Sequence, residues 1–204
     1  MQWTNRCALV LALLAASALA PGQVAEFSFS GGQSLLRNNK LTDYTDPDSG
    51  QTVEVKLKDG FRFGFRVTLN NWRFFGHEFG YGYSRTQLSL QTQPVQDYGT
   101  AIHQGFYNML VYATPEGARV RPFGAGGVHF SNFIYPGLSV TSGGGETKFG
   151  INYGGGVKVR VSSMFMVRFD VRQYQSSKPD FLPGPEPEGW IRQLEASAGF
   201  ALVL

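Results

Sequence analysis

The chain has 204 residues with a formal charge of +3, and charged residues make up only 16% of it, against roughly 25% in an average soluble domain. Glycine supplies 26 residues, and aromatics reach 14% while the mean hydropathy is only −0.16. Abundant aromatics exclude a disordered chain, and the modest hydropathy argues against helical membrane spans, each of which needs about 20 consecutive apolar residues.

Residues 1–20 read as a secretory signal peptide, with Arg6 in a short polar start, an apolar core from Cys7 to Ala16 and a small-residue tail. Ala18-Leu19-Ala20 fits the A-x-A cleavage rule, but Pro21 beside it leaves the cut open between residues 18 and 25. Cys7 is the only cysteine and leaves with the leader. The mature chain is therefore expected to hold no disulfide, no thiolate nucleophile and no cysteine metal site. No basic block of the kind a nucleic-acid footprint needs is visible.

Beyond residue 25 the recurring signal is period-two alternation, the strand signature. In Phe61–Leu69 one face carries Phe61, Phe63, Phe65, Val67 and Leu69, and the other Arg62, Gly64, Arg66 and Thr68. The pattern returns in 151–161, in 165–174 and in 194–204. With the weaker segments it predicts eight strands, at about 25–33, 58–69, 74–88, 103–113, 119–133, 148–161, 165–175 and 191–204. Gly124, Gly126 and Gly127 could hide a bulge, which leaves the phase of the fourth and fifth segments open. Residues 70–73, 114–118 and 162–164 read as tight turns. Residues 34–57, 89–102, 134–147 and 176–190 read as long polar loops. An even number of antiparallel strands with short turns at one end and long loops at the other predicts an all-β, eight-stranded, up-and-down transmembrane barrel over residues 25–204.

A soluble barrel would turn Phe61, Phe63 and Phe65 inward, whereas a membrane barrel turns them to lipid and the charges to the lumen. A lipid-facing Arg or Lys at the midplane costs about 2–4 kcal/mol. The charged face is also laced with Gly64, Gly80, Gly82, Gly154 and Gly156, which leave room for long cationic side chains, and aromatics such as Trp72, Phe74, Tyr107 and Tyr112 recur near segment ends. These features favour the membrane version.

The chain here resembles the small outer-membrane barrels of the outer-membrane protein A type. The resemblance is carried by Arg121-Pro122-Phe123-Gly124-Ala125-Gly126-Gly127, by 154–160 and by 167–172. Ser197, Gly199, Leu202 and Leu204 match the C-terminal signal by which such barrels are recognised for insertion, although many members end in Phe where this chain has Leu204. The resemblance implies a bacterial outer-membrane location, contact with outer-membrane lipid and lipopolysaccharide, passage through the barrel-assembly machinery, and a monomer.

The inward charges form the candidate site. Arg62 and Arg66 are expected beside Glu78, Lys158 and Arg160 beside Asp170, and Glu195 beside Arg168 and Arg172. One reading is a lumen filled by mutually paired charges, since an eight-stranded barrel is just wide enough for side chains to fill. The other is a gated, anion-preferring pore. A third possibility rests on His129-Phe130-Ser131-Asn132, which is similar to the His-x-Ser of the outer-membrane lipid A deacylases. In those enzymes the pair lies on the seventh strand, where this chain has Val171-Arg172-Gln173, and no acid is placed to orient His129. The bland reading puts His129 near the outer membrane interface, His77 by the periplasmic girdle and His103 at a loop–strand junction. Three scattered histidines make no zinc constellation. Ser142-Gly143-Gly144-Gly145-Glu146, Asp46-Pro47-Asp48-Ser49-Gly50 and the proline-rich 179–188 read as outer-loop segments. No cofactor and no catalytic residue is assigned. A structural or surface-interacting role is expected, with the pore and the lipid A hydrolase as alternatives.

Overall fold

The computed structural model describes residues 24–45, 50–136, 144–181 and 187–204. The leader and its cleavage site lie outside the described residues, as do Asp46–Ser49, Ser142-Gly143 and Pro183 with Pro185. Ten strands follow one another: β1 (Val24–Arg37), β2 (Lys40–Thr45), β3 (Thr52–Leu57), β4 (Gly60–Trp72), β5 (Phe75–Leu90), β6 (Gln96–Tyr112), β7 (Val120–Ile134), β8 (Gly145–Arg160), β9 (Phe165–Ser177) and β10 (Trp190–Val203). Eight of them close an antiparallel barrel in chain order, with β1 pairing both β4 and β10. Each barrel strand lies beside its neighbours in sequence, the arrangement that tight turns and hairpin loops allow.

Burial explains the closure. Along β4 and β9 most apolar residues face out and the polar ones in, so that Phe61, Phe63, Phe165 and Phe169 are exposed while Arg66, Arg168 and Arg172 are 0% exposed. In water this would be inside out; against hydrocarbon it satisfies both faces. The β6–β7 and β7–β8 ladders run without a register shift, so the glycines of β7 hide no bulge. Arg121, Phe123, His129 and Ser131 point inward from β7, and Gln104, Phe106, Asn108 and Tyr112 from β6.

Two expected loops are largely strand. In place of a loop over 34–57, β1 continues to Arg37 and Lys40–Thr45 pairs with Thr52–Leu57 as the β2–β3 hairpin, whose second strand pairs with the outer end of β5 through Val55–Leu90 and Leu57–Leu88. In place of a loop over 89–102, β5 and β6 pair out to Leu90 and Gln96. At about 3.4 Å per residue these two strands are roughly 55 Å long, far beyond an apolar band about 25 Å tall even with strands tilted by 35–45°. Their outer ends therefore stand clear of the membrane, and the hairpin packs there.

The hairpin has an apolar underside. Leu41, Val55 and Leu57 join Leu36, Leu88, Ile102, Phe133 and Ile191 in one buried cluster at the outer end of the barrel, with Tyr44, Leu90 and Phe181 packed against it. This is the molecule's main apolar core, and it caps the polar lumen.

Candidate functional site: the charged lumen

The alternation of β4, β5, β8, β9 and β10 aims Arg62, Arg66, Glu78, Lys158, Arg168, Asp170, Arg172 and Glu195 into one interior, where all are buried. Arg160, at the inner end of β8, is only half-buried. Closing the barrel decides their partners. Arg168 Nη2 reaches Glu78 Oε2 at 2.7 Å, and its Nε reaches Asp170 Oδ2 at 2.7 Å. Arg172 Nη2 lies 2.9 Å from Glu78 Oε1 and 3.0 Å from Asp170 Oδ1. Asp170 thus sits between two arginines of its own strand, two residues to either side and on the same face. Glu195 takes Arg62 at 3.1 Å and is bonded by Arg66. The expected partners of several charges are therefore replaced. Arg62 goes to Glu195, Lys158 pairs with Glu26 and not with Asp170, and Glu195 serves β4 while Arg168 and Arg172 serve Glu78. Arg66 does approach Glu78, at 4.0 Å.

Neutral groups complete the network. Tyr174 and Ser197 donate to Glu195 at 3.0 Å and 2.6 Å respectively. Ser30 accepts from Arg66 at 2.6 Å, Asn70 donates to Glu26 at 2.8 Å, and Lys158 donates to the Tyr112 hydroxyl at 2.9 Å. Aromatic rings enter as well: Arg62 lies over Tyr174, Arg66 over Phe106, and Arg168 and Arg172 over Phe123. Buried charges are tolerable only when paired and hydrogen-bonded in this way. Two glycines make the space. A Cβ on Gly82 would stand 2.2 Å from the Arg62 guanidinium, and one on Gly80 would stand 2.2 Å from the Phe106 ring.

Glu26, Tyr112, Tyr174 and Arg121 are absent from the set read from the sequence. Glu26 was legible in principle, because Glu26, Ser28 and Ser30 alternate with Phe27 and Phe29. Arg121 differs from the others: it is buried on Tyr112, and none of its three guanidinium nitrogens has a hydrogen-bond partner among the described residues.

His129 and His103 are placed differently from expectation. His129 lines the lumen, edge-on to Tyr174 at 5.2 Å, and is not at the interface. It makes no hydrogen bond with Ser131, whose hydroxyl instead accepts from Gln104 at 2.8 Å. His103 lies within β6 and bonds the Tyr81 hydroxyl; His77 bonds the Tyr107 hydroxyl at 2.7 Å on the outer wall. No group of three or more metal-ligating side chains occurs among the described residues.

A family model described as the outer membrane protein beta-barrel domain matches residues 7–201. The chain belongs to that family. Among solved structures, this outer-membrane barrel superposes on Neisserial surface protein A with a TM-score of 0.56 at 13% identity, covering 89% of this chain and 98% of that one. OprG from Pseudomonas aeruginosa gives 0.57 at 11% identity over 88% and 96% of the two chains. AlkL, determined in lipid bilayers, gives 0.55 at 16% identity over 89% of each. At such identities the likeness establishes the fold. No curated protein matches the chain by sequence. The barrel resides in the bacterial outer membrane, and its exposed aromatic wall meets that membrane's lipid.

Proposed function

We propose that this outer-membrane barrel is a non-conducting structural scaffold with four outer connections, the first of which forms a surface-exposed β-hairpin. The observation that carries the reading is a lumen obstructed at two levels. The ion-pair network from Glu26 to Glu195 fills its inner and middle parts, and the apolar cluster under Val55 and Leu57 covers its outer end. A water-filled path would need both to open. Aromatic side chains on the outer face and the stiff extension of β5–β6 suit a rigid anchor for an external contact surface. The hydrolase alternative gains no support from Ser131, which has no base bonded to it, and no catalytic role is proposed.

Ser197 and Gly199 face inward and Leu202 outward, while Leu204 is 69% exposed with its amide bonded to the Ala25 carbonyl at 2.9 Å. These placements suit recognition by the barrel-assembly machinery, and the pairing of all eight wall strands with two neighbours each suits a monomer at membrane depth. The role is tested by ion-flux measurements on liposomes holding the refolded protein. Flux no greater than in empty liposomes is expected, and sustained flux would favour the pore.

A further inference from the structure

Three cations stand side by side on the inward face near the tight-turn end of the barrel: Arg121 of β7 pairs in register with Lys158 of β8, which pairs with Arg168 of β9. Like charges directly opposite one another are unfavourable unless each is answered. Lys158 is answered by Glu26, and Arg168 by Glu78 and Asp170. Arg121 is not. It is 1% exposed, no acid among the described residues lies within ion-pair distance, and Nε, Nη1 and Nη2 all lack a hydrogen-bond partner.

The wider charge balance agrees. Among the described residues, six cations and four acids are buried in the lumen. The half-buried rim adds Arg160, whose Nε also lacks a partner, and Glu116, whose buried Oε1 lacks one too, so the excess of two positive charges remains. Glu116 lies in the β6–β7 turn within electrostatic reach of Arg121 and Arg160, yet burial holds its carboxyl above the ordinary glutamate range against their attraction. It is an incomplete counter-charge.

We propose that the inner mouth of the lumen is a binding site for a small oxyanion, centred on Arg121 with Arg160 as its second arm. The guanidinium carbon of Arg121 lies 3.7 Å from the centroid of the Tyr112 ring. That stacking covers one face of the group, and its three buried nitrogens, which have no partner, are the donors that a ligand would take. A guanidinium edge presents two parallel donors that match two oxygens of a phosphate- or sulfate-like ion, and a halide cannot engage both with the same geometry. The Tyr112 hydroxyl is fixed by Lys158, so the ring supporting Arg121 is held in place. Entry is from the periplasmic side, and no passage through the barrel is required. The site is therefore independent of whether the lumen conducts.

The test uses the full barrel folded in detergent and inorganic phosphate as the probe, with ionic strength held constant by sodium chloride. Phosphate is expected to raise the wild-type thermal unfolding midpoint and to broaden its own 31P resonance. Arg121→Met should abolish the midpoint rise and weaken phosphate binding by at least about tenfold, in line with losing a buried charge-assisted pair. Arg160→Met, at the half-buried rim, should fold and bind more weakly than wild type, which keeps the test intact if Arg121→Met does not fold. Glu116→Gln should preserve or strengthen the response. Three results would overturn the site: a wild-type barrel that does not respond to phosphate, a response that neither arginine substitution changes, or loss of the response in Glu116→Gln.

Discussion

Arg168 and Glu78 meet across the full width of the barrel, Nη2 to Oε2 at 2.7 Å, although 90 residues separate them in the chain. Counting around the ring, β9 and β5 are opposite strands. A pair that spans the diameter ties the two walls together.

Removing one partner of such a buried pair leaves an unanswered charge, a change that typically costs about 3–5 kcal/mol. Glu78→Gln is therefore expected to lower the urea unfolding midpoint strongly, because Arg168 and Arg172 both lose a carboxylate. Adding Arg168→Met to Glu78→Gln should recover part of the loss. A double-mutant cycle in which the two effects simply add would show that the pair is not coupled.

The small residue at position 82 is expected to matter for the charge network. Gly82→Ala puts a methyl group against the Arg62 guanidinium, forcing it from Glu195. The expected cost is about 1–3 kcal/mol, as for other overpacked interiors, read as a lower unfolding midpoint. Gly99→Ala, where an added Cβ meets nothing within 4 Å, is the control and should leave the midpoint almost unchanged.

The faces of the strands were legible in the sequence, and the partners of the charges were not. Parity alone puts Arg62 and Arg66 opposite Phe61, Phe63 and Phe65, so the inward set follows from alternation. Which acid each arginine meets depends on barrel closure and stagger, which bring β9 to β5 and β8 to β1. Reasoning from adjacent strands therefore misassigned Lys158 and missed Glu26. The β2–β3 hairpin escaped for a different reason: its strands are six residues each, and Lys40, Asp43, Glu54 and Lys56 give them the polarity of a loop. Only burial of Leu41, Val55 and Leu57 against the barrel's outer end distinguishes them. Arg121 was hidden by the open phase of β7, which its glycines obscured.

That hairpin supplies the third prediction. Val55→Asp with Leu57→Asp puts carboxylates where the side chains are now 0% exposed, and a buried unpaired charge is not tolerated. The hairpin should detach and become sensitive to protease between residues 40 and 57, while the eight-stranded wall still folds. An unchanged digestion pattern would show that the apolar underside does not hold it.

The tight turn at Glu116 lies outside the membrane and gives a pH dependence. Burial raises this carboxyl above its ordinary value, so the folded state holds its proton more tightly than the unfolded one. Its contribution to stability is fully present below the unfolded pKa and is lost as the pH rises through the folded value. Relative to Glu116→Gln, the wild-type midpoint should therefore fall as pH rises through that window. A wild-type midpoint that rises relative to the variant would reverse the assignment.

The most direct test of the obstructed lumen is planar-bilayer recording of the folded protein. The wild type is expected to insert without steady conductance, because the Arg168–Glu78 contact and the apolar cluster under Leu57 both close the path. A stable ohmic current through the wild type, altered by Arg168→Ala, would contradict the obstructed lumen and make the charged lumen a pore.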